Sequence, residues 1–531
     1  MIGFEAIDAG MAFRVDATLA EAFDTACARW DASGNTERLF ARDATLWTGG
    51  DEAAWLGWLD PPSSVLIDAL AQFAEATRRS GFAHTLLLGM GGSSLAPEVL
   101  ARVFGPARGF PRLTVLDSTD PAQIRRVGAA VDLPHALIIA ASKSGGTVET
   151  NLLLRHALAR VHRVGAQVYA ITDPGSSLEA LARERGFADV FHGDVSIGGR
   201  FSALSAFGLV PAAALGLDLQ RLLESAAAMR ERCRTRPARS NPGVALGILI
   251  ATLATAGRDK LCFAASRSLA AFPAWIEQLI AESLGKRGRG VVPLEAESQA
   301  LDHAAADRAF VSLRFASEPR PEIAGIDIAL EDRSVLAGEF LRWEVATAVA
   351  GALLGVNPFD QPDVEAAKVA ARTLLAAGEG VASRGDTIPV GAPDLRETLE
   401  RHLASVQSGD YLAILAFLDR EEAIERALAG LRARLHATRR VATTLGFGPR
   451  YLHSTGQLHK GGPNRGVFLF ITCDEANDLP VPGERTSFGQ VKLAQACGDI
   501  NVLVERGRRV LRVHLGTDAR AGLRTLAEAL R

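Results

Sequence analysis

The segment SKSGGTVET, residues 142–150, follows an apolar run and combines a lysine, several hydroxyls, two adjacent glycines and a glutamate. Gly-Gly pairs are common in ordinary turns, and a turn is one interpretation of this segment. The other is an anion-binding loop, because glycines let the backbone approach a ligand and a following helix presents unpaired N–H groups to a phosphate. The segment alone does not decide between the two.

The segment WIEQLIAESLGK, residues 275–286, supplies a candidate for acid–base chemistry. Gln278 and Glu282 are four residues apart and share one face of a predicted helix. The apolar side chains around them indicate that this face is partly buried. A glutamate held near apolar surface can act as a general base. The alternative is an ordinary salt-bridged or exposed glutamate.

Three further segments place polar groups at a predicted turn or helix start. GMGGSSLAP follows a predicted strand, and a tight strand-to-helix turn explains it about as well as a ligand does. Arg200 follows two glycines in IGGRFSALSAFG and either binds an anion or lies at the surface. In NPFDQPDVEAAK a loop containing Gln361 becomes a helix, which places Lys368 two turns away on roughly the same side.

The segment YLHSTGQLHKGGPN, residues 451–464, contains His453 and His459 with two hydroxyls and a lysine. The histidine spacing fits no common zinc ligand pair and no cysteine or carboxylate flanks it, so no metal site is predicted. Only six of the 58 basic residues of the chain are lysines. Four of these six lie in the segments named above or at their ends, which indicates that a compact ammonium is wanted there.

Composition sets broad limits on function. The chain has 531 residues, of which 48% are hydrophobic and 22% charged, as expected for a large soluble protein of two to four domains. A net charge of −3 argues against nucleic acid as a partner. The first residues lack the pattern of a signal peptide, and the apolar stretch 244–257 is too short to span a bilayer and is predicted to be a buried helix. Five cysteines without paired spacing fit a cytoplasmic protein.

Short apolar runs alternate with helical patterns and predict an α/β fold with parallel sheets, whose ligands bind beyond the carboxyl ends of the strands. The first sixty residues are predicted to be amphipathic helices. Strands are then expected in three groups: at 84–89, 113–118, 136–142 and 167–173; at 259–266 and 308–315; and in DYLAILAFL, GVFLFITC and RVLRVHLG.

Taken together, these segments resemble the glucose-6-phosphate isomerase family, in which two sugar-isomerase (SIS) α/β subdomains surround a sugar-phosphate site. The resemblance runs from about residue 60 to 370, and residues 451–464 are most similar to the isomerase half of fused transaldolase–isomerase proteins. It implies two SIS-type subdomains with parallel sheets flanked by helices, plus a C-terminal α/β module. We expect N-terminal helices and a first subdomain over 1–235, a second subdomain over 236–380, and a module carrying His453 over 395–531.

The resemblance also implies roles for individual residues. Glu282 matches the proton-transfer base, and Arg200 matches the arginine near the reacting carbons. Lys368 matches the lysine near the ring oxygen, and His453 matches the ring-opening histidine. The residues expected to bind the substrate are Gly92, Ser93, Ser142, Lys143, Ser144, Thr147, Glu149, Gln278 and Gln361.

The histidine departs from the family pattern in its position along the chain. In the family the Leu-His-Ser-x-Gly-Gln context lies upstream of the Gln-x6-Lys segment, whereas here it lies downstream. The upstream His303 lacks the flanking pattern. We therefore assign ring opening to His453, and it stays open whether this histidine serves its own chain or a neighbouring one.

The implied function is reversible isomerisation of glucose 6-phosphate and fructose 6-phosphate in glycolysis and gluconeogenesis, through ring opening and a cis-enediol. The expected partner is a small sugar phosphate, with no metal or organic cofactor, no nucleic acid and no membrane, and a homodimer is left open. One alternative is a broader isomerase that also accepts mannose 6-phosphate. The other is a non-catalytic SIS protein that binds sugar phosphates.

Overall fold

A computed structural model describes residues 4–295, 306–322, 325–377 and 384–530. The strands of these residues form three sheets. In chain order the strands are β1 Glu5–Asp8, β2 Met11–Phe13, β3 His84–Gly89, β4 Arg112–Leu116, β5 Leu137–Ala141, β6 Val168–Thr172, β7 Asp189–His192, β8 Lys260–Ala265, β9 Val292–Glu295, β10 Arg308–Phe315, β11 Ile326–Leu330, β12 Asp386–Pro389, β13 Tyr411–Phe417, β14 Ala442–Phe447, β15 Gly466–Thr472 and β16 Arg509–His514.

The α-helices lie between and around these sheets. In chain order they are α1 Ala17–Ala32, α2 Asn35–Phe40, α3 Ser64–Ser80, α4 Leu95–Phe104, α5 Pro121–Val131, α6 Val148–Leu158, α7 Val164–Gln167, α8 Ser177–Arg185, α9 Ala206–Ala214, α10 Leu219–Cys233, α11 Pro242–Thr255, α12 Phe272–Leu284, α13 Leu336–Leu354, α14 Val364–Ala377, α15 Leu395–Leu403, α16 Glu422–Arg439, α17 Gly456–Gly461, α18 Phe488–Glu505 and α19 Ala519–Ala529.

The first sheet has the strand order β4-β3-β5-β6-β7 and is entirely parallel. Its central strand β5 is buried along its whole length, because helices cover both faces and every residue of Leu-Ile-Ile-Ala-Ala is apolar. The four strands predicted for this sheet are confirmed within two residues at each end. The edge strand β7 was missed because its four residues, Asp-Val-Phe-His, are too few to give a signal and do not alternate between polar and apolar.

The second sheet has the order β1-β2-β11-β10-β8-β9. Strands β8 to β11 pair in parallel, and the N-terminal hairpin β1-β2 adds to β11 in the antiparallel sense. The prediction that the first sixty residues are all helical is therefore wrong at 5–13, where two strands of four and three residues were too short to detect. These strands join the second sheet rather than the first.

The third sheet has the order β12-β16-β15-β13-β14 and is parallel throughout. Together the three sheets and their covering helices confirm the predicted α/β class with parallel sheets flanked by helices. Residues 244–255 of the apolar stretch 244–257 lie within α11, most of which is buried, as predicted. Within the described ranges, no helix is both long and apolar enough to cross a membrane.

The C-terminal module, which contains the third sheet, packs against both the first and the second sheet. Its contact with the second is apolar, since one buried cluster contains Val292 and Leu294 together with Tyr411 and Phe468. Its contact with the first is partly apolar, through Val481 and Phe488, and partly ionic. This double contact fixes the position of the segment that follows β14.

The ionic contact centres on Arg450, which donates to the buried side chain of Asp117 and to Glu98. Lys492 donates to Asp120 at 2.8 Å. Removing one member of a buried ion pair leaves the other without compensation, which costs roughly 3–5 kcal/mol. His453 lies three residues after Arg450, so these pairs hold the histidine against the first sheet.

Candidate active site

The loop after β5 folds back on itself before α6 begins. The Ser142 hydroxyl donates to the Thr147 hydroxyl at 2.9 Å, and the backbone N–H of Gly146 donates to Ser144 at 3.2 Å. Thr147 occupies the N-cap position of α6, but its side chain makes no capping hydrogen bond. The first N–H groups of an eleven-residue helix are thereby left available for an anion.

A cavity of about 180 Å³ lies in front of this loop. It is where elements distant in sequence meet: the loop and α6, helix α14, and the C-terminal module. The side chains that line it include Ser144, Thr147 and Glu149 from the first sheet, Lys368 and Arg372 from α14, and His453 and Gln495 from the module. We call this space the loop cavity.

Lys143 does not contribute its ammonium group to the loop cavity. Its Nζ donates to Asp173 at 2.5 Å and to the carbonyl of Asp194 at 3.1 Å. The cations that face the loop are instead Lys368, whose Nζ lies 3.6 Å from Glu365, and Arg372. Positive charge is thus supplied to the cavity from α14.

A second group of polar side chains surrounds Glu282 on α12, and we call it the carboxylate cluster: Arg200, Gln278, Glu282 and Gln361. The Gln278 Nε2 donates to Glu282 Oε2 at 3.0 Å and to the carbonyl of His453 at 2.8 Å. Both partners are acceptors, so the amide orientation is fixed. The Gln278 Oε1 is buried and has no hydrogen-bond partner in the described structure, which makes it available to a substrate hydroxyl.

Arg200 is almost completely buried beside Glu282. Its Nε donates to Ser283 at 2.8 Å, and its Nη2 donates to the carbonyls of Pro358 and Asp360 at 2.6 and 2.7 Å. Its Nη1 donates to Gln361. Burial lowers the pKa of the guanidinium, and Glu282 and Asp360 oppose that shift by favouring its charged form. Arg200 therefore stays a fixed cation that holds the loop containing Gln361.

The turn after β3 closes over this cluster. Gly91 has a φ of +53°, and a Cβ there would lie 2.7 Å from Gln278 Nε2 and 2.8 Å from the His453 carbonyl. A Cβ on Gly92 would lie 1.9 Å from the carbonyl of Gly199. Gly92 and the buried Ser93 thus permit close packing of the turn against the segment that carries Arg200.

His453 connects the carboxylate cluster to the loop cavity. Its carbonyl accepts from Gln278, and its ring Nε2 lies 3.0 Å from Glu149 Oε1. Burial opposes ionisation of Glu149, but His453 and Lys368 outweigh it and bring the pKa of this carboxyl below its ordinary value. The carboxylate that this histidine contacts belongs to the same chain. His303, the alternative, lies outside the described residues.

The predicted site residues thus fall into two adjoining groups. The loop cavity contains Ser144, Thr147, Glu149, Lys368 and His453. The carboxylate cluster contains Arg200, Gln278, Glu282 and Gln361. Ser142, Lys143, Gly92 and Ser93 shape the surrounding backbone, and their side chains do not line the loop cavity.

The sequence analysis did not find Ser283 or Gln495. Ser283 directly follows the predicted base and holds Arg200, so its position was a usable signal. Gln495 donates to Glu149 at 2.7 Å from the middle of α18, where no motif surrounds it.

His459 lies against Tyr411, whose hydroxyl is 2.9 Å from its Nδ1. In the ranges that the structure describes, no three His, Cys, Asp or Glu side chains are grouped to hold a metal ion.

Several known proteins are similar to this chain. The family model for phosphoglucose isomerase matches residues 72–312. The glucose-6-phosphate isomerase of Rubrobacter xylanophilus is 31% identical over 367 residues, covering 57% of this chain and 84% of that protein. That of Citrifermentans bemidjiense is 37% identical over 213 residues, covering 39% of this chain. The latter alignment spans only 40% of that relative's own length.

Two solved structures share the architecture. A hypothetical protein from Thermus thermophilus aligns with a TM-score of 0.58 at 26% identity, covering 68% of this chain and 100% of that one. A glucose-6-phosphate isomerase from Chlamydia trachomatis also gives a TM-score of 0.58, at 18% identity, covering 75% of this chain and 92% of that one. The similarity to the Chlamydia trachomatis structure shows a shared fold and nothing more. With the sequence relatives and the family model, the chain belongs to the glucose-6-phosphate isomerase family.

Proposed function

We propose that this chain interconverts glucose 6-phosphate and fructose 6-phosphate, using the loop cavity and the carboxylate cluster as one site. The observation that carries the proposal is the placement of Glu282 beside the fixed cation Arg200, with His453 joining this pair to an anion-binding loop. A protein that only bound sugar phosphates would have no use for a base positioned in this way.

The phosphate group is anchored at the start of α6. Thr147, Ser144 and the helix N–H groups donate to its oxygens, and Lys368 and Arg372 supply positive charge from the opposite wall. Charge-assisted hydrogen bonds of this kind are stronger than neutral ones and fix the orientation of a dianion. The sugar then extends toward His453 and the carboxylate cluster.

His453 opens the ring by moving a proton between the ring oxygen and the anomeric hydroxyl. Glu149 stabilises the imidazolium form of the ring, since its carboxylate lies 3.0 Å from Nε2. Lys368 faces the same cavity and stabilises negative charge that develops on oxygen during this step. Opening exposes the carbonyl that the next step requires.

Glu282 then takes the proton from C1 of the ketose and returns it to C2, which yields the aldose. The cis-enediol forms through its enediolate, in which one oxygen carries negative charge while the proton resides on the carboxyl group. Arg200 stabilises that oxygen, because it is buried, charged and already held by neighbouring groups. No external oxidant or reductant is needed, because C1 is oxidised and C2 is reduced within the same sugar: Glu282 carries the carbon-bound proton from C1 to C2, while a hydroxyl proton moves from O1 to O2.

A coupled assay of fructose 6-phosphate conversion to glucose 6-phosphate, run in EDTA, tests the proposal. We expect turnover that is undiminished by the chelator, since the derived steps use only side chains of this chain. Mannose 6-phosphate in the same assay measures substrate breadth. Binding of fructose 6-phosphate without turnover would leave a sugar-phosphate-binding protein, and turnover restored only by added zinc or manganese would overturn the cofactor-free mechanism.

The proposal extends to the setting of the protein. A cytoplasmic location and a role in glycolysis and gluconeogenesis fit the activity. The units 1–235, 236–380 and 395–531 are proposed as folding units, with the hairpin at 5–13 belonging to the second sheet. A homodimer and the similarity to the isomerase half of fused transaldolase–isomerase proteins stay predictions.

A further inference from the structure

A chain of hydrogen bonds reaches the proposed ring-opening histidine from helix α18 of the C-terminal module. The Thr119 hydroxyl and Gln495 Oε1 are 2.8 Å apart, and Gln495 Nε2 donates to Glu149 Oε1 at 2.7 Å. The same Glu149 oxygen lies 3.0 Å from His453 Nε2. Thr119, Gln495 and Glu149 are all buried.

The negative charge of Glu149 fixes the donor and the acceptor of every hydrogen bond in this series. An ionised carboxylate only accepts hydrogen bonds, so Gln495 must present its NH₂ group to Glu149 and its oxygen to Thr119. The pKa of Glu149 lies below its ordinary value, with burial opposing and His453 and Lys368 favouring the charge, which agrees with this ionised form. The nitrogen of His453 that faces the carboxylate must likewise carry a proton.

Two adjacent residues in the connection between β4 and α5 hold α18 in place. Asp120 accepts from Lys492 at 2.8 Å, while Thr119 bonds to Gln495. Lys492 and Gln495 are three residues apart and lie on one face of the helix. A helix held at two points along one face has little freedom to move the Gln495 amide away from Glu149.

We propose that Gln495 is a positioning residue of the isomerase site, which holds the Glu149 carboxylate so that His453 carries its proton on Nε2 and offers Nδ1 to the substrate. In the described structure, Nδ1 of His453 has no hydrogen-bond partner, and its ring lines the loop cavity. The C-terminal module therefore supplies both the histidine and a residue that sets its tautomer. This inference rests on the proposed isomerase function only for the expected effect on kcat. The expected tautomer of His453 does not depend on that function.

The test combines kinetics with ¹⁵N NMR of labelled histidine. In the wild-type protein we expect the His453 signals, identified by their loss in His453→Asn, to show a protonated Nε2. In Gln495→Leu we expect a mixture of tautomers and a kcat on fructose 6-phosphate lower by roughly 10- to 100-fold, the value of a hydrogen bond to a charged group, at nearly unchanged KM. Thr119→Val should lower kcat less, and should add little further loss in the Gln495→Leu background.

Gln490→Leu is the matched control, since it removes a capping side chain at the start of α18 without touching Glu149. It should reduce stability and leave kcat and the His453 signals unchanged. Gln495→Leu with unaltered kcat and unaltered ¹⁵N signals would overturn the proposal. If the wild-type protein lacks isomerase activity but the tautomer still depends on Gln495, the proposed function fails and the positioning role stands.

Discussion

The Nη1 of Arg200 lies 3.8 Å from Oε1 of Glu282. This distance is too long for a hydrogen bond and short enough for strong electrostatic attraction between two buried groups. Of the five N–H donors of the guanidinium, four are engaged by Ser283, Pro358, Asp360 and Gln361. The fifth belongs to Nη1 and has no hydrogen-bond partner among the described residues, so it can donate to a substrate oxygen beside the carboxylate.

Replacing Glu282 by glutamine tests the base itself. We expect Glu282→Gln to keep sugar-phosphate binding, because glutamine has the same size and can still contact Gln278. Turnover should fall by roughly 10²- to 10⁴-fold, the usual contribution of a positioned general base. Exchange of solvent tritium into the substrate should fall in parallel. Exchange at a near wild-type rate would mean that another carboxylate is the base.

Replacing Arg200 by lysine tests whether charge alone is sufficient. Lysine keeps the charge but cannot satisfy the acceptors on Ser283, Pro358 and Asp360 at the same time. Each buried acceptor left unsatisfied costs about 1–3 kcal/mol. We expect Arg200→Lys to lower kcat/KM by roughly 100-fold and to increase hydrogen exchange of the loop 357–363.

Arg126→Lys is the control for Arg200→Lys. Arg126 makes a half-exposed ion pair with Asp419, and exposed pairs contribute roughly 0–1 kcal/mol. We expect this variant to retain wild-type turnover and exchange. Equal effects of the two substitutions would show that the loss in Arg200→Lys is not specific to the site.

Sequence patterns and the family resemblance together pointed to most residues of the candidate site, because these residues follow strands or share helix faces. Gln278 and Glu282 were identifiable by their spacing, and the loop at 142–147 by its position after an apolar run. The pairing of Lys143 with Asp173 was not predictable, since the two meet only when β5 and β6 lie side by side. Gln495 was missed for the same reason, because its partner Glu149 is 346 residues away.

The pH dependence of stability should reveal Glu277, which lies on α12 beside Gln278. Its Oε1 accepts from the Ser454 hydroxyl at 3.2 Å. Burial raises its pKa from 4.5 to about 7, with Ser454 opposing and Glu295 adding to the shift. The folded state therefore binds more protons than the unfolded state across this window, and the free energy of unfolding falls as pH rises from about 4.5 to 7.

Substituting Glu277→Gln removes this titrating group and should flatten that part of the stability profile. Between pH 4.5 and pH 8, the free energy of unfolding of the variant should rise relative to that of wild type by up to about 3 kcal/mol, since one pKa unit corresponds to about 1.4 kcal/mol. Urea unfolding of both proteins at pH 4.5, 6 and 8 measures the difference. If the two free energies of unfolding differed by the same amount at all three pH values, the raised pKa of Glu277 would be contradicted.

We expect His453 to serve the site of its own chain, because its ring contacts Glu149 of that chain. Mixing His453→Asn protein with Glu282→Gln protein under conditions that exchange subunits should therefore restore no activity. If the histidine came from a neighbouring chain, some mixed sites would contain both wild-type residues and turnover would return. His303→Asn should retain wild-type activity, and loss there with His453→Asn unharmed would reverse the assignment.

The step that His453 performs can be isolated with a substrate that needs no ring opening. His453→Asn should slow conversion of cyclic fructose 6-phosphate by roughly 100-fold or more, as expected for loss of a general acid–base group. Exchange of the C2 proton of erythrose 4-phosphate, an open aldehyde, should be slowed far less, because Glu282 and Arg200 are unaffected. Equal losses on both compounds would show that His453 acts in the proton transfer between carbons rather than in ring opening alone.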